Sequence, residues 1–364
     1  MDLYSKKLAE RLEVPKLYTN IYQDVAEIYN IPFLSIKAAT ALLKELSFVK
    51  KLNRVNGVIH IPNHHLGRYG FFLKVPYIIT VHDLIRYFDL KGYGLFIQRL
   101  NIRDRFYLSL DYKGIKKANH IIAVSNSTKQ DLIKHLGIPS DRISVVYEGI
   151  DHRIFKPTDR RLVDFPYILY VGSEHPRKNF IGLLKAFKKL KGDSRFKDLK
   201  LLKVGKAGKP KMQFREPTLR AIHELGLSND VIFTEYVPEK DLPAYYSGAV
   251  CFVLPSFYEG FGFPPLEAMA CGCPVIVSKV ASLPEIVGDA AMLVDPNAPE
   301  GIAEAIETLM MDRALRGKLI SRGFERASYF SWEKTAKETM KVYKNVEYSL
   351  SAYVRGRFAE AVPR

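Results

Sequence analysis

The sequence lacks long apolar runs and has few cysteines and no low-complexity segment. Its longest apolar runs, such as AVCFVLP, fall far short of the ~20 residues that span a bilayer, and its N-terminus does not resemble a secretory signal. Three cysteines, two of them in ACGCP, provide neither a disulfide framework nor the paired CxxC spacing of a zinc site. We therefore expect a cytoplasmic protein without a metal site.

Acidic residues are also scarce relative to basic ones. The 364 residues include 55 Lys or Arg against 39 Asp or Glu, which gives a net charge of +16. Twelve of these cations and only four aspartates lie between Lys51 and Lys117, interleaved with Tyr and Phe side chains. This surplus predicts an anionic partner, which could be a nucleic acid, an anionic membrane or a phosphorylated small molecule.

Length and periodicity together indicate two α/β domains. A chain of 364 residues exceeds one ordinary hydrophobic core. Short β-branched runs alternate with helix-like segments along the whole chain, which is typical of parallel sheets wrapped by helices. Residues 148–166 interrupt this alternation of strand-like and helix-like segments. They form a polar, proline-flanked stretch that we interpret as a linker. The sequence thus predicts two Rossmann-like parallel-sheet domains that face each other across a cleft.

The strands can be predicted one by one. In the first half we expect them in KLYTN (16–20), GVIHIPN (57–63), YIITVHD (77–83), HIIAVS (120–125) and ISVVYEG (143–149). In the second half we expect them in YILYVGS (167–173), LKLLKVG (199–205), DVIFTEYV (230–237), VCFVLPS (250–256), PVIVS (274–278) and AMLVDP (291–296). After HIIAVS, either Ser127 or Thr128 can cap a helix that Gly137 ends.

Two glutamates flank an uncharged stretch in the segment SFYEGFGFPPLEAMACGCPVIVS. VCFVLPS predicts a strand, and the proline pair and Gly272 bound a predicted helix in PPLEAMACG. Glu259 would then follow the strand, and Glu267 would lie in the first turn of the helix. A helix N-terminus attracts phosphate, while carboxylates accept hydrogen bonds from sugar hydroxyls. The alternative is that neither glutamate binds a ligand. In that case Glu267 only interacts favourably with the helix dipole, and Glu259 is a solvated loop residue.

The stretch EGFGFPPLEAMACGCPVIVSKVASLPEIVGDAAMLVDP closely resembles the family-4 retaining glycosyltransferases, also called glycosyltransferase group 1, with their E-x7-E signature. TVHDL, YVGSEHPRKNF and YVPEKDLPAYYSGA support this resemblance, which covers about residues 57–346. It implies the α/β GT-B fold, with an N-terminal acceptor-side domain (1–157), a C-terminal nucleotide-sugar-binding domain (158–330), a helix (331–348) that crosses back to the first domain, and a tail (349–364).

The resemblance also implies an activity. Such an enzyme moves a hexose of mannose or glucose type, with retention and without metal or cofactor, from a nucleotide diphosphate sugar to a glycan or lipid-linked acceptor. Nucleic acid is not an expected partner of this family. There are two alternatives to an active glycosyltransferase. One is a non-catalytic homologue that binds a nucleotide sugar, and the other is a basic nucleic-acid-binding protein.

Residue roles follow by resemblance. Glu267 would accept ribose hydroxyls, Glu259 would accept donor-sugar hydroxyls, and His82 would face the donor sugar with Asp83 orienting it. The adjacent Arg177 and Lys178 would hold the diphosphate, because fixed cations stabilise a leaving group whose negative charge grows. The catalytic candidates are His82, Arg177, Lys178 and Glu259; the donor-binding candidates are Gly172, Arg177, Lys178, Lys206, Glu259, Gly260, Phe261, Gly262, Phe263 and Glu267. Gly260 and Gly262 would let the backbone approach a ligand closely.

The sequence departs from the family pattern at two places. Most members begin with a strand and a glycine-rich turn, whereas Met1 here leads directly into DLYSKKLAERL, which looks like the first helix. We therefore expect the first strand to be missing, or the true start to lie upstream. Ser173 stands where many members carry an arginine, and Arg177 is a candidate substitute.

The basic, aromatic stretch from Lys51 to Lys117 suggests a location. We expect it to rest on the anionic inner face of a membrane and to receive a lipid-linked acceptor. Each basic side chain near such a surface contributes up to ~1 kcal/mol. The alternative is an ordinary solvated face over aromatic residues that point into the core.

Overall fold

The computed structural model describes residues 3–15, 36–93, 100–207 and 214–360. Within these ranges the strands are β1 (Ile59–Ile61), β2 (Tyr77–Val81), β3 (His120–Ala123), β4 (Ile143–Val145), β5 (Tyr167–Val171), β6 (Lys200–Val204), β7 (Val231–Thr234), β8 (Cys251–Leu254), β9 (Val275–Ser278) and β10 (Met292–Val294). Each lies inside a strand predicted from the sequence. The remaining predicted strand, at 16–20, falls outside the described residues.

Helices connect these strands. They are α1 (Leu3–Arg11), α2 (Ile36–Leu52), α3 (Gly67–Phe72), α4 (Ile85–Lys91), α5 (Ile102–Lys117), α6 (Asn126–Leu136), α7 (Phe180–Leu190), α8 (Arg215–Glu224), α9 (Leu242–Gly248), α10 (Phe263–Ala270), α11 (Leu283–Val287), α12 (Pro299–Met311), α13 (Arg313–Ser328) and α14 (Trp332–Glu360). Among the described helices, none is long and apolar enough to cross a bilayer.

The strands form two parallel sheets, one in each half of the chain. The first has the order β1-β2-β3-β4, and the second has the order β10-β9-β8-β5-β6-β7. This second order is that of a doubly wound Rossmann sheet, in which the winding direction reverses between β5 and β8. Ligands bind such sheets in the crevice at the carboxyl ends of the strands flanking the reversal. Arg177 follows β5 and Glu259 follows β8, so both lie at this crevice.

Two helix starts differ from their predictions. Ser125 caps α6, because its Oγ accepts from the Thr128 amide at 3.0 Å, whereas we predicted Ser127 or Thr128 as the cap. Gly137, with φ of 66°, ends α6 as predicted. The helix after β8 begins at Phe263, and Glu267 therefore lies in its second turn, outside the first turn where we expected it.

The last helix joins the two halves. Val342 and Val346 of α14 pack on Ile78 and Ile122 of the first sheet, in a cluster that also contains Val146. The helix runs through the predicted crossing segment (331–348) and into the predicted tail (349–364), as far as Glu360. Residues at the start of the chain pack against the same helix, because the side chains of α1 form an apolar cluster with Trp332 and Ala336.

Candidate active site

The two domains touch at the start of the E-x7-E segment. A Cβ atom added to Gly260 would lie 1.9 Å from the His82 carbonyl oxygen, so only glycine fits here. The Ser125 hydroxyl donates to the Gly260 carbonyl oxygen at 2.7 Å across the same contact. We expected Gly260 to make room for a ligand; in the structure the space it leaves is filled by the other domain. Gly262, with φ of 121°, instead sets the turn that leads into α10.

Glu259 is buried between the two predicted cations. Its Oε1 accepts from Lys178 Nζ and Ser256 Oγ, each at 2.9 Å. Its Oε2 lies 2.8 Å from Arg177 Nη1. Burial alone would raise the pKa of Glu259, but Lys178 and Arg177 outweigh it and lower that pKa to about 2. Three of the predicted site residues therefore form one compact ion cluster.

The turn after β5 aims both cations into the crevice. Residues Pro176–Lys178 form a single 3-10 turn, in which the His175 ring accepts from the Arg177 amide at 3.2 Å. Arg177 also donates from Nη1 to the Tyr258 carbonyl oxygen at 2.8 Å, which ties the turn to the β8 loop. A Cβ on Gly172 would approach the Lys178 side chain to 3.3 Å, so Gly172 leaves room for that lysine.

The second glutamate has a different environment. Glu267 accepts one hydrogen bond from the Tyr246 hydroxyl of α9, at 2.7 Å from its Oε2. Burial, aided by the charge of Glu239 and opposed by the Tyr246 bond, raises the pKa of Glu267 to about 7. The two carboxylates of the signature thus differ, because the pKa of Glu259 is lowered and that of Glu267 is raised towards neutral pH.

His82 is held by a residue that sequence reasoning missed. Its Nδ1 lies 2.9 Å from Glu148 Oε1, and its Nε2 lies 3.0 Å from the Pro62 carbonyl oxygen. We expected Asp83 to orient this ring, which is wrong: the Asp83 carboxylate accepts from the Ile85 amide at 2.9 Å and so starts α4. Glu148 opens the stretch that we interpreted as a polar linker, yet it is 3% exposed. One feature of the sequence could have indicated this contact: Glu148 follows β4 as His82 follows β2, and both strands end at the same edge of the sheet.

The remaining donor-binding candidates have aromatic contacts. Phe261 is buried, and its ring centroid lies 5.3 Å from that of Phe263 and 5.9 Å from that of Phe330. Lys206 is exposed, with its ammonium 5.6 Å from the centroid of the Tyr236 ring at the end of β7. The geometry therefore gives Phe261 and Phe263 packing contacts, and Lys206 an exposed contact with Tyr236.

A buried ion network beside the crevice was also missed. Lys203 of β6 lies 2.9 Å from Glu174, and both side chains are 0% exposed. Arg215 of α8 adds a second cation to Glu174 at 2.8 Å, and its guanidinium lies 4.5 Å from the centroid of the Phe233 ring. Burial lowers the pKa of Lys203 although Glu174 opposes this. The network fixes the loop that follows β5, from which Arg177 and Lys178 project.

Comparison with known protein families identifies the family of this chain. The protein-family model of glycosyl transferases group 1 matches residues 154–326, and that of glycosyltransferase family 4 matches residues 8–153. A D-inositol 3-phosphate glycosyltransferase of Corynebacterium glutamicum is 32% identical over 357 residues, which cover 93% of this chain and 83% of that enzyme. The chain belongs to the family-4, group 1 glycosyltransferases.

Several relatives of this group 1 glycosyltransferase are mannosyltransferases. The O-antigen chain mannosyltransferase B of Escherichia coli is 36% identical over 252 residues, 66% of this chain and 65% of that enzyme. The serotype-specific mannosyltransferase WbdA of Escherichia coli is 32% identical over 276 residues, 72% of this chain but only 33% of that enzyme. The chain therefore spans about two thirds of the first relative and about one third of the second.

Solved structures confirm the predicted GT-B fold. Sucrose-phosphate synthase from Thermosynechococcus elongatus superposes with a TM-score of 0.70 at 25% identity, covering 88% of this chain and 82% of that one. The Anabaena HepE protein in complex with UDP and glucose superposes with a TM-score of 0.71 at 19% identity, covering 86% and 84%. Both the family and the two-domain architecture predicted from the sequence are thus confirmed.

Proposed function

We propose that this glycosyltransferase moves a hexose, mannose in the first instance, from a nucleotide diphosphate sugar to a hydroxyl of a glycan or lipid-linked acceptor. The mannosyltransferase relatives support the choice of sugar. The observation that carries the proposal is the convergence of Arg177 and Lys178 on Glu259 at the reversal point of the second sheet. Two fixed cations at a ligand crevice suit a donor that carries two phosphates.

Donor binding would rearrange this ion cluster. In the structure Glu259 pairs with both Arg177 and Lys178. A diphosphate brings more negative charge to the same cations, and we propose that it takes over both of them. Glu259 then turns to the hydroxyls of the donor sugar, and the free Oε1 of Glu267 accepts from the ribose. As the bond to the sugar breaks, the cations stabilise the growing charge on the diphosphate, which is the role that Mg²⁺ has in other enzymes.

We propose transfer with retention and without a covalent intermediate. In this proposal Glu259 is not the nucleophile, because its oxygens accept hydrogen bonds from the donor-sugar hydroxyls once the diphosphate has taken over the two cations. In the proposed step the acceptor oxygen attacks the anomeric carbon on the face from which the diphosphate departs. The new carbon–oxygen bond forms as the old one breaks, and the acceptor's proton passes to the departing phosphate oxygen.

Product analysis tests this proposal. The full chain would be incubated with GDP- and UDP-hexoses and with glycan or polyprenyl-phosphate acceptors, with and without EDTA. Proton NMR of the product should show the anomeric configuration of the donor, with rates unchanged by EDTA. The Arg177→Gln/Lys178→Gln variant should lose transfer, while Arg220→Gln, on an exposed arginine that pairs within its own helix, should not. An inverted product or full inhibition by EDTA would contradict the mechanism, and donor binding without any transfer would support the non-catalytic alternative.

We further propose that the exposed face of α5 contacts an anionic membrane. Ile102 and Phe106 lie one turn apart on this face and are 88% and 54% exposed. The other exposed side chains of α5 are all cations: Arg105, Lys113, Lys116 and Lys117. The two aspartates of the helix are half-buried or buried. Large apolar side chains surrounded by cations suit the interface of an anionic bilayer. The apolar side chains can insert among the lipids, and the cations can pair with the anionic headgroups.

Vesicle flotation tests the membrane proposal. The wild type should float with phosphatidylglycerol vesicles and remain behind with phosphatidylcholine vesicles. Lys113→Gln/Lys116→Gln and Ile102→Ser/Phe106→Ser should each reduce flotation. The matched controls are Arg313→Gln/Lys318→Gln and Met311→Ser, which alter exposed residues of the second domain and should leave flotation unchanged. Flotation that ignores lipid charge, or that only the controls reduce, would overturn the proposal.

A further inference from the structure

We infer that Glu148 is a positioning residue that keeps His82 doubly protonated and fixed at the contact between the two domains. The inference about charge stands on the structure of the first domain alone. Its consequence for catalysis rests on the function proposed above.

The ring nitrogens of His82 face a carboxylate oxygen and a carbonyl oxygen, and both of these accept when Glu148 is ionised. Nδ1 lies 2.9 Å from a carboxylate oxygen of Glu148, and Nε2 lies 3.0 Å from the carbonyl oxygen of Pro62. A neutral imidazole has one N–H, so it could satisfy only one of these partners. Two protons on the ring satisfy both, and the resulting positive charge is compensated by Glu148. A carboxylate that is 3% exposed needs such a partner, because burying an unpaired charge costs several kcal/mol.

Among the described residues, no carboxylate lies within hydrogen-bonding distance of His60 or His64. The ring nitrogens of His60 lie 2.6 Å from the Tyr343 hydroxyl and 2.8 Å from the Thr80 hydroxyl, and a hydroxyl can donate or accept. Burial, with a smaller contribution from the charge of His82, lowers the pKa of His60 to about 3. His60 is therefore neutral, and its bonds are satisfied in that form.

His64 is neutral for a similar reason. Its Nδ1 accepts from the backbone amide of His82 at 3.3 Å, which requires an unprotonated Nδ1. Burial, together with the charges of His65 and His82, lowers the pKa of His64. The Asp83 carboxylate lies 4.0 Å from His64 Nε2, while the edge of the Tyr4 ring packs against His82 at 4.9 Å between centroids. Glu148 thus offers the His82 ring a charge-assisted hydrogen bond.

This arrangement assigns His82 an electrostatic role. Because both its nitrogens are bonded inside the first domain, the ring is not available to pass a proton to or from a substrate. Its backbone carbonyl contacts Gly260, the residue next to Glu259, so His82 lies at the domain contact from which the proposed donor site begins. A fixed imidazolium there would act with Arg177 and Lys178 to stabilise the departing diphosphate. Glu148 would serve catalysis through His82, without touching the substrate.

Side-chain NMR and the pH dependence of turnover test the inference together. In protein labelled with ¹⁵N-histidine, His82 should show two protonated nitrogens from about pH 6 to about pH 8, above the range in which free imidazole is charged. Glu148→Gln should yield a neutral His82 ring near pH 8, because the amide can donate to Nδ1. Its kcat should fall on the order of 10-fold or more there and recover towards pH 6, with little change in donor KM. Glu148→Asp should restore the charge and part of the rate.

The outcomes separate this inference from the proposed function. A neutral His82 in the wild type near pH 8 would overturn the inference, whether or not the protein transfers sugar. A Glu148→Gln variant with a wild-type pH profile would equally overturn it. If transfer fails with every donor, the NMR arm still decides the charge of His82, and Glu148→Asp serves as the folded reference if the glutamine variant is unstable.

Discussion

At the residue scale, the two signature glutamates differ because their neighbours differ. Glu259 lies between two cations, whereas Glu267 is buried with one hydroxyl donor. The first is a permanent anion, and the second titrates near neutral pH. The same residue type thus supplies a fixed charge at one end of the segment and a pH-sensitive hydrogen-bond acceptor at the other.

Replacing Glu267 by Gln should stabilise the protein at alkaline pH. The pKa of Glu267 is raised from its ordinary 4.5 to about 7, so the folded chain holds this proton more tightly than the unfolded chain. The free energy of unfolding therefore falls as pH rises from about 4.5 through about 7, and the fall is complete above that range. The melting midpoint of Glu267→Gln minus that of the wild type should increase from pH 5 to pH 8. A constant difference would contradict this pKa.

Replacing Glu259 by Gln should have the opposite effect. Its lowered pKa means that the ionised carboxylate adds stability that is fully present above about 4.5 and is lost as pH falls through about 2. At neutral pH the variant leaves Arg177 and Lys178 without their counter-charge, at a cost on the order of 3 kcal/mol. Denaturant unfolding should show this loss near pH 7, and added pyrophosphate should restore part of it. A variant as stable as the wild type near pH 7 would refute the ion cluster.

Some of the site could be predicted from the sequence, and some could not. Arg177, Lys178 and Glu259 come together because each lies in a loop that follows a strand, and the carboxyl ends of parallel strands share one edge. The same rule applies to Glu148, which follows β4, but the stretch that it opens has the composition of a polar linker, so its contact with His82 was missed. We chose Asp83 for its adjacency in sequence, but its carboxylate is used by the backbone of the next helix. The roles assigned to these residues remain predictions.

At the element scale, the start of α6 is completed by the other domain. The amides of Asn126 and Ser127 donate to the carboxylate of Glu285 at 2.6 and 3.1 Å, and the Tyr147 hydroxyl donates to the same carboxylate at 2.7 Å. The free amides at a helix start carry partial positive charge and favour an anion. Glu285, which lies on α11 of the second domain, thus holds the domains together through a helix terminus.

Removing this carboxylate should loosen the contact between the domains. Glu285→Gln keeps the size of the side chain but weakens charge-assisted bonds that are worth about 1.5–3 kcal/mol each. The radius of gyration measured by small-angle X-ray scattering should increase, and saturating donor should reverse the increase. Glu304→Gln, on an exposed glutamate of α12, is the matched control. Equal radii for both variants and the wild type would mean that Glu285 does not govern closure.

Removal of α14 should reduce stability and activity together. A chain that ends at Phe330 exposes Ile78 and Ile122 of the first sheet and loses Val342 and Val346, and each buried side chain of this kind is worth about 1.5–3 kcal/mol. The hydrogen bond from Thr335 to the Tyr147 carbonyl oxygen, 2.9 Å, is lost as well. If the truncated chain does not fold, the milder Val342→Ser variant serves instead, and we expect it to lose stability and activity together. Full transferase activity in the truncated chain would contradict a role for α14 in joining the domains.

Strand positions were easier to predict than helix ends. Strands of a parallel sheet are buried on both faces, so they read as continuous apolar runs. The cap of α6 was harder to locate, because Ser125, Ser127 and Thr128 can all cap a helix and the choice depends on where the strand turns. For α10, the two prolines indicated roughly where the helix starts but not the exact residue. The helix begins at Phe263, so Glu267 lies in its second turn and not in its first.

At the scale of the whole molecule, function depends on how the two domains meet. The proposed phosphate-binding cations belong to the second domain and His82 to the first, and Gly260 joins them by contacting the His82 carbonyl. Sequence motifs could predict the two domains and their family. They could not predict this contact, which depends on a missing Cβ and on side chains more than a hundred residues apart.

The most direct test of the account is thermal stabilisation by a panel of nucleotide sugars. A ligand that binds only the folded state stabilises it by about 2.7 kcal/mol at about 100 times its Kd, and no acceptor is needed. We predict that one member of the panel raises the melting midpoint of the wild type and of Arg220→Gln. Its effect should shrink in Glu267→Ala and vanish in Arg177→Gln/Lys178→Gln. An equal shift in the double variant, or a folded wild type that no nucleotide sugar stabilises, would contradict a donor site built on these residues.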